Sequence, residues 1–195
     1  MARLSSFSQL AGVRSLLGAL ALGVWGLVAA SGGALAGCNL AMGPAAKSGG
    51  QDSALVGAPA PDFKLEAQSG APSVSLADGA GKVMIVDFWA TWCAPCRESF
   101  PVYQKLVEKY GDKLVLVGIS VDEDSSGIAG FASETGAKFP LAWDKGQEVA
   151  GKYQPITMPT SFVIDKRGVV RFVHAGYRAG DERTFAAEIE ALAAE

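Results

Sequence analysis

Strand and helix patterns alternate along the chain from Ala58 onwards, and this order predicts an α/β domain of three layers with a mixed central β-sheet. Two runs rich in β-branched and apolar residues, 83–89 and 114–121, have the composition of strands buried on both faces. A strand pair followed by a helix ends the chain. With 195 residues and 49% apolar content, the chain can bury one core of ordinary size and still have residues to spare.

The first half of the domain contains a hairpin, a buried strand and a long helix. Short strands at 63–65 and 73–76 flank a Gln-Ser-Gly turn and predict an N-terminal β-hairpin. The buried strand that follows leads into a helix at 95–110, which has apolar residues on one face and ends at Gly111. Pro101 removes a backbone donor inside this helix, so we expect a kink there.

The second half continues the alternation with shorter elements. They are, in order, a strand at 114–121, helices at 125–135 and 147–153, strands at 160–164 and 169–174 joined by a Lys-Arg-Gly turn, and a last helix from Asp181.

The N-terminal segment, residues 1–37, has the pattern of a bacterial lipoprotein signal peptide. Arg3 and Arg14 precede an almost wholly apolar stretch at 16–30. The stretch is followed by Leu-Ala-Gly-Cys, which resembles the lipobox of such peptides, so Cys38 is the expected lipidation site.

Domain boundaries follow from this assignment. Residues 38–57 are rich in Ala, Gly and Ser and are predicted to be a lipid anchor with a flexible linker, which leaves 58–195 as the folded domain. Secretory cleavage after Ala36 and retention as a transmembrane helix remain open. All three alternatives put the domain on the extracytoplasmic side, because both arginines precede the apolar stretch. We therefore expect the protein to be located in the bacterial cell envelope, on the periplasmic side.

Composition excludes several classes of function. The net charge is -3, with both signs interspersed, which is not the pattern of a nucleic-acid-binding surface. The chain has three cysteines and one histidine, so a closed zinc site would need carboxylates, and we expect no metal. We also expect a monomer.

Cys93 and Cys96 are the residues that we expect to carry out a chemical reaction. They lie where a buried strand meets a helix, and the N-H groups and dipole of a helix N-terminus favour a thiolate at the first cysteine. Cys93 is then the attacking sulfur, and Cys96, one turn deeper, is the sulfur that resolves a mixed disulfide. A purely stabilising disulfide is a weaker alternative, because closing so short a loop constrains the unfolded chain little.

The segment Val-Asp-Phe-Trp-Ala-Thr-Trp-Cys-Ala-Pro-Cys-Arg at 86–97 resembles the thioredoxin superfamily signature. The Ala-Pro-Asp-Phe at 60–63, the Gly-Lys at 81–82, the extra stretch before Pro140 and the Met-Pro-Thr at 158–160 make the chain similar to the TlpA/ResA-like branch of membrane-tethered bacterial reductases. The resemblance covers the chain from Ala58 to its end. It implies a thioredoxin-like fold and thiol-disulfide exchange with no cofactor beyond a redox-active Cys93–Cys96 disulfide.

The resemblance also implies roles for residues near the cysteines. The proline matching Pro159 is cis in this family and faces the cysteine pair, so that the backbone of Met158 can pair with a client peptide. Asp87 matches the buried acid of thioredoxin and would take the proton of Cys96; a strand-end carboxylate paired with a lysine is the alternative. The branch usually has a glutamate where this chain has Ser99, which puts a branch-specific acid in doubt.

The resemblance also indicates which residues would contact a client protein and which partners the protein would have. The residues expected to touch a client are Trp92, Ala94, Pro95, Met158 and Thr160. Expected partners are client proteins with thiols or disulfides, in roles such as cytochrome c maturation or metal-site assembly, a membrane electron donor, and the membrane itself through the lipid. The Ala-Pro between the cysteines resembles the reducing members of the family, so we expect a reductant.

Two other functions fit the sequence less well. A Sco-like copper chaperone needs a CxxxC motif and a distal histidine, whereas this chain has CxxC and a single His174 that we expect to be an ordinary sheet residue. A peroxiredoxin needs Thr and Pro at positions that Ala90 and Val86 occupy.

Overall fold

The structure, a computed structural model, describes residues 53–68 and 73–195. Within these ranges the strands are β1 (Lys64–Leu65), β2 (Val74–Ser75), β3 (Val83–Trp89), β4 (Leu114–Ser120), β5 (Leu141–Trp143), β6 (Thr160–Ile164) and β7 (Val170–Ala175). The α-helices there are α1 (Ala94–Tyr110), α2 (Ile128–Thr135), α3 (Glu148–Tyr153) and α4 (Asp181–Ala194).

The main sheet has five strands in the order β5-β4-β3-β6-β7. β3 is its centre, parallel to β4 and antiparallel to β6, while β5 lies parallel to β4 and β7 antiparallel to β6. This mixture confirms the predicted sheet. Every residue of β3 is buried, which explains why the sequence of this strand is almost continuously apolar. The chain emerging from β3 leads directly to the cysteine pair.

Helices cover both faces of this sheet, as the fold class predicts. On one face, Trp89 packs between α1 and α2, with its ring 4.8 Å from that of Phe100 and 4.4 Å from that of Phe131. On the other face, Tyr153 of α3 packs against Phe88 and Phe162, at ring distances of 5.3 and 5.0 Å. The sheet therefore has an aromatic core on each side. Trp89 is fully buried and serves as a packing residue.

The N-terminal hairpin is also present. Lys64 pairs with Ser75 and Leu65 with Val74, in an antiparallel pair separate from the main sheet. Its connecting residues 69–72 lie outside the described part of the chain. A bridge between Ala67 and Ala142 links the hairpin to β5.

Helix α1 has sequence signals at both ends. Cys93 occupies the N-cap position with extended backbone, and a proline follows in the first turn, where its missing N-H costs nothing. Gly111 ends the helix with φ of 50°, a conformation that glycine adopts easily. Between them, α1 continues through Pro101 as a single helix. Its buried face begins with Cys96, which is thereby turned toward the sheet.

Three elements differ from the sequence prediction. Strand β5 was not expected, because three residues after a proline are too few to show a period. Helix α2 begins at Ile128 instead of residue 125, since the residues before it form turns around the Asp124 side chain. Helix α3 is preceded by a short 3-10 turn at Lys145–Gln147.

The residues just before the predicted domain start also contact the domain. Leu55 packs against the core, and the Gly57 N-H donates to the Val170 carbonyl over 2.8 Å. The boundary at Ala58 stays a prediction, and the signal peptide and Cys38 lie outside the described residues. None of the helices in the described ranges is long and apolar enough to cross a membrane.

Candidate active site

A disulfide at the N-terminus of α1 joins Cys93 to Cys96, with their Cα atoms 5.3 Å apart. Cys93 is the N-cap residue of the helix, and the Cys96 backbone N-H donates a hydrogen bond to its Sγ over 3.2 Å. The same N-H, together with the positive end of the helix dipole, is in place to stabilise a thiolate on Cys93 after reduction. The local fold therefore favours Cys93 as the more acidic thiol.

The two sulfurs differ in access. Cys96 is completely buried and Cys93 is 3% exposed, so both are largely covered. Only Cys93 borders the neighbouring cleft, which has a volume of about 430 Å³. The walls of this cleft are Trp92, Cys93, Ala94, Pro95, Pro155, Ile156, Thr157 and Met158. The cleft therefore gives access to Cys93 and not to Cys96.

The loop before β6 forms the wall opposite the cysteines. Its Met158–Pro159 peptide bond is cis, as the resemblance implies. Pro159 is buried, and its carbonyl accepts a hydrogen bond from the Gly176 N-H over 2.7 Å. Thr160 is also buried and lies outside the cleft walls, because its hydroxyl donates to the Thr157 carbonyl over 2.7 Å. Thr160 thus helps to hold the loop together, and the client contact expected for it stays a prediction.

Apolar side chains frame the cleft. Trp92 is 70% exposed and Ile156 is 64% exposed, and both line the cleft that Cys93 borders. Among the described residues, the other exposed large hydrophobic side chain is Val56. Exposed apolar groups gathered at a cleft are a common mark of a protein-binding surface. The cleft therefore presents apolar surface beside Cys93.

The loop that carries Trp92 is fixed from both sides. The Asp122 carboxylate accepts hydrogen bonds from the Thr91 N-H at 3.0 Å and the Thr91 hydroxyl at 2.9 Å, and it also accepts one from Ser120. Arg97 donates to the Thr91 carbonyl over 2.9 Å and pairs with Glu134 of α2. These contacts hold the residues immediately before Cys93 in one conformation.

A buried carboxyl group lies in the middle of β3. Asp87 accepts hydrogen bonds on Oδ1 from the Ser161 hydroxyl at 2.6 Å and the Tyr103 hydroxyl at 3.2 Å. Burial raises the pKa of Asp87 from 3.8 to about 7, and the two hydroxyl groups oppose that rise because they stabilise the anion. Such a pKa is suited to proton exchange near neutral pH. The alternative of a strand-end carboxylate paired with a lysine is wrong, since Asp87 is mid-strand and its partners are hydroxyl groups.

The position where the branch usually has glutamate contains no acid here. Ser99 is completely buried one turn after Cys96, and its hydroxyl donates to the Cys96 carbonyl over 3.2 Å. Glu98 is exposed on another side of α1. Asp87 is therefore the buried acid on the sheet side of this helix.

His174 lies in β7 and its Nε2 is 2.8 Å from Oε2 of Glu188 in α4. Its ring packs on Phe185 at 4.5 Å. Within residues 53–68 and 73–195, no group of three or more His, Cys, Asp or Glu side chains is placed to hold a metal ion. The histidine that a copper site would need is thus bonded to a carboxylate of the neighbouring helix.

Three residues of this site were not singled out from the sequence. Tyr103 could have been found, because it lies seven residues after Cys96 on the same helical face. Ser161 and Asp122 gave no such signal. They are brought to the site by strand pairing and by the end of β4, which are tertiary features.

Fold and site together define a protein of thioredoxin type, with a CxxC disulfide at a helix N-terminus opposite a cis proline. Residues 56–173 match the AhpC/TSA family. The chain is 37% identical over 123 residues to the thioredoxin-like protein YneN of Bacillus subtilis (strain 168), covering 62% of this chain and 71% of that protein. It is 39% identical over 116 residues to the thiol-disulfide oxidoreductase ResA of Bacillus anthracis, covering 59% of this chain and 66% of the relative, just under two thirds of its length.

A solved structure agrees with these relatives. A crystal structure described as a thiol:disulfide interchange protein DsbE from Chlorobium tepidum superimposes with a TM-score of 0.67 at 34% identity, covering 71% of this chain and 97% of that one. The chain therefore belongs to the AhpC/TSA family, among the ResA-like thiol-disulfide oxidoreductases of thioredoxin type.

Proposed function

We propose that this protein reduces disulfide bonds of client proteins on the extracytoplasmic side of a bacterial membrane. The observation that carries the proposal is the Cys93–Cys96 disulfide at the N-terminus of α1, opening on a cleft opposite the cis Met158–Pro159 bond. The relatives named thiol-disulfide oxidoreductases support the reaction class. The predicted leader and Cys38 support the membrane location and the lipid anchor.

The proposed reaction starts from the dithiol. The Cys93 thiolate, favoured by the N-H of Cys96, attacks one sulfur of a client disulfide, and the other client sulfur leaves as a thiolate that takes up a proton. Cys96 then gives its proton to Asp87 and attacks Sγ of Cys93. The bond from Cys93 to the client breaks, the client leaves as a dithiol, and the Cys93–Cys96 disulfide forms. Two electrons pass to the client.

A membrane electron donor must then return the disulfide to the dithiol, and the reaction needs no further cofactor. We propose a reducing direction because Ala94 and Pro95 between the cysteines resemble the reducing members of the superfamily. We expect a potential closer to the value of about -270 mV of thioredoxin than to about -120 mV of DsbA. Equilibration of the protein with a glutathione buffer measures it.

Client recognition would use the cleft. Trp92 and Ile156 would contact apolar side chains near the client cysteine, and the backbone beside Met158 would pair with the client chain. Apocytochrome c thiols and proteins that assemble metal sites are the client classes we favour.

The proposal is tested with a Cys96→Ser variant, expressed in the native host. We expect it to accumulate mixed disulfides between Cys93 and clients, visible as reducible adducts, because the resolving sulfur is missing. The matched control is the Cys93→Ser, Cys96→Ser double variant, which should hold none. Absence of adducts, together with no reduction of a model protein disulfide by the wild type, would contradict the function. Peroxide consumption or tight Cu(I) binding lost in His174→Ala would instead favour the alternatives.

A further inference from the structure

We propose that Tyr103 and Ser161 are positioning residues that hold Asp87 with Oδ2 as the oxygen that exchanges a proton with Cys96. The inference rests on the proposed function and deepens it, because it assigns two further residues to the resolving step. The observation behind it is that the two carboxyl oxygens of the buried Asp87 differ in their hydrogen bonds.

Both hydrogen bonds to this carboxyl group are made at the same oxygen. The Ser161 and Tyr103 hydroxyl groups reach Oδ1 of Asp87 at 2.6 and 3.2 Å, and they are 2.8 Å from each other. Oδ2 is buried and has no hydrogen-bond partner among the described residues. Buried polar atoms without partners are rare in folded proteins, so this one calls for an explanation.

On this proposal, the missing partner is the thiol of Cys96, which is buried on the same face of α1 as Tyr103. In the disulfide, Cys96 has no S-H group and cannot donate a hydrogen bond. Reduction creates this donor, and the proton moves to the carboxylate when Cys96 attacks the mixed disulfide. Because Oδ1 already accepts two hydrogen bonds, Oδ2 is the oxygen left to receive the proton.

The placement of Tyr103 agrees with this role. Cys96 and Tyr103 lie on the same buried face of α1, and long side chains on a helix point back toward its N-terminus. The Tyr103 side chain is therefore directed along α1 toward the turn that contains Cys96, and its hydroxyl contacts Asp87. Burial and the nearby Asp87 charge raise the pKa of Tyr103 well above its usual value, so the hydroxyl remains a donor throughout the working pH range.

Ser161 reaches the carboxyl group from the neighbouring strand. It is directly opposite Asp87 in the pairing of β3 with β6, and it follows the cis Met158–Pro159 bond closely in sequence. The strand on the other side of Asp87 presents Gly118, which has no side chain to compete. Two different elements thus fix one carboxyl oxygen.

Other titratable groups lie near Asp87 and Ser161, and the test must distinguish their titration from that of Asp87. His174 is the register partner of Ser161 on β7, and it is bonded to Glu188 of α4. Because His174 and Glu188 are also titratable, a rate profile alone would not assign the titrating group to Asp87. The measurement therefore follows the Asp87 carboxyl carbon directly.

The experiment titrates the full chain, labelled with carboxyl-¹³C aspartate, by NMR in the oxidised state. Tyr103→Phe and Ser161→Ala should each raise the pKa of Asp87 by about one unit, because each removes a hydrogen bond that stabilises the anion. Ser161→Thr retains a hydroxyl and should restore the wild-type titration. Ser161→Ala and Ser161→Thr also decide the question by themselves if Tyr103→Phe does not fold.

Single-turnover reduction of a fluorescent disulfide peptide supplies the kinetic readout. At pH 7, a shift of one unit in the Asp87 pKa lowers the ionised fraction about five-fold, and we expect the rate of peptide release to fall by the same factor. The matched control is Tyr153→Phe, which removes a buried hydroxyl bonded to the Pro61 carbonyl on the other face of the sheet. It should leave both the titration and the release rate unchanged.

Two outcomes would overturn the inference. If the wild type is active but Tyr103→Phe and Ser161→Ala both leave the Asp87 titration unshifted, the positioning role fails and the proposed function stands. If the wild-type dithiol reduces no protein disulfide, the proposed function fails and this inference fails with it.

Discussion

At the residue scale, Asp87 shows how one buried group links stability to pH. Desolvation raises the pKa of Asp87 to about 7 in the oxidised protein, so the folded state retains this proton up to neutral pH. An unfolded chain would release the same proton near the ordinary aspartate pKa of 3.8. Folding is therefore favoured by this group below pH 3.8, and the benefit is lost as pH rises through 7.

Asp87→Asn should remove this pH dependence. In the oxidised wild type, Asp87 contributes a fall in the free energy of unfolding of up to about 4 kcal/mol between pH 4 and pH 8, at about 1.4 kcal/mol per pKa unit. The variant retains the shape of the side chain and cannot ionise, so its stability should fall less over this interval. Urea unfolding of both oxidised proteins at several pH values measures the difference, and parallel curves would contradict the assignment.

Trp92 has the most exposed large hydrophobic side chain in the part of the chain that the structure describes, and we expect it to contact clients. Trp92→Ala should raise KM for a protein disulfide about ten-fold with little change in kcat, because truncating a buried interface tryptophan commonly costs more than 1 kcal/mol. A small-molecule disulfide, too short to reach the indole, serves as the matched control substrate. Equal losses for both substrates would show that Trp92 acts on the cysteines and not on clients.

At the scale of elements, the connection between β3 and α1 decides where Cys93 points. That connection depends on Asp122, which comes from the chain after β4 and accepts hydrogen bonds from Thr91. Arg97 holds the same connection through the Thr91 carbonyl. The connection between β3 and α1 is therefore held in place by Asp122, a residue distant in sequence, as well as by Arg97 of α1.

Asp122→Ala should lower the free energy of unfolding by about 1 to 3 kcal/mol, since it leaves the N-H of Thr91 without an acceptor. Asp122→Asn retains one acceptor oxygen and should lose less. The control is Asp124→Ala, an exposed aspartate two residues away that bonds only its neighbour Ser126. Denaturation midpoints give the comparison, and equal midpoints for Asp122→Ala and Asp124→Ala would refute the role of the Asp122 contacts.

At the scale of the whole molecule, the two sheet faces and the helices meet in a core with little free space. Gly118 in β4 illustrates the tight packing. A Cβ atom there would lie 2.7 Å from Leu141 of β5 and 3.0 Å from the indole nitrogen of Trp89. A glycine is thus required where β4 passes beneath an aromatic side chain of the central strand.

Gly118→Ala should destabilise the protein by about 1 to 3 kcal/mol through this overpacking. Gly130→Ala is the matched control, because Gly130 lies exposed in α2 and a Cβ atom there meets nothing within 4 Å. Alanine is the better helix former, so the control should gain about 0.5 to 1 kcal/mol. Thermal unfolding of both variants measures the contrast, which would be absent if Gly118 had room for a methyl group.

Some features of this protein were determined by the sequence alone. The order of strands and helices, the hairpin and the ends of α1 follow from local patterns, since periodicity, a helix-starting proline and Gly111 act over a few residues. The cysteine pair at the strand-helix junction is local in the same sense. The membrane leader remains a prediction of this kind.

Other features were decided only by tertiary structure. Strand β5 exists because β4 offers it a partner, and three residues contain no signal of their own. Burial raised the pKa of Asp87. Strand pairing brought Ser161 to its carboxyl group, and helix packing brought Tyr103 there. Burial and contacts between distant residues depend on the whole fold, so no local pattern contains them. The sequence pointed to Cys93, Cys96 and Asp87, and the packed structure gave Asp87 its buried environment.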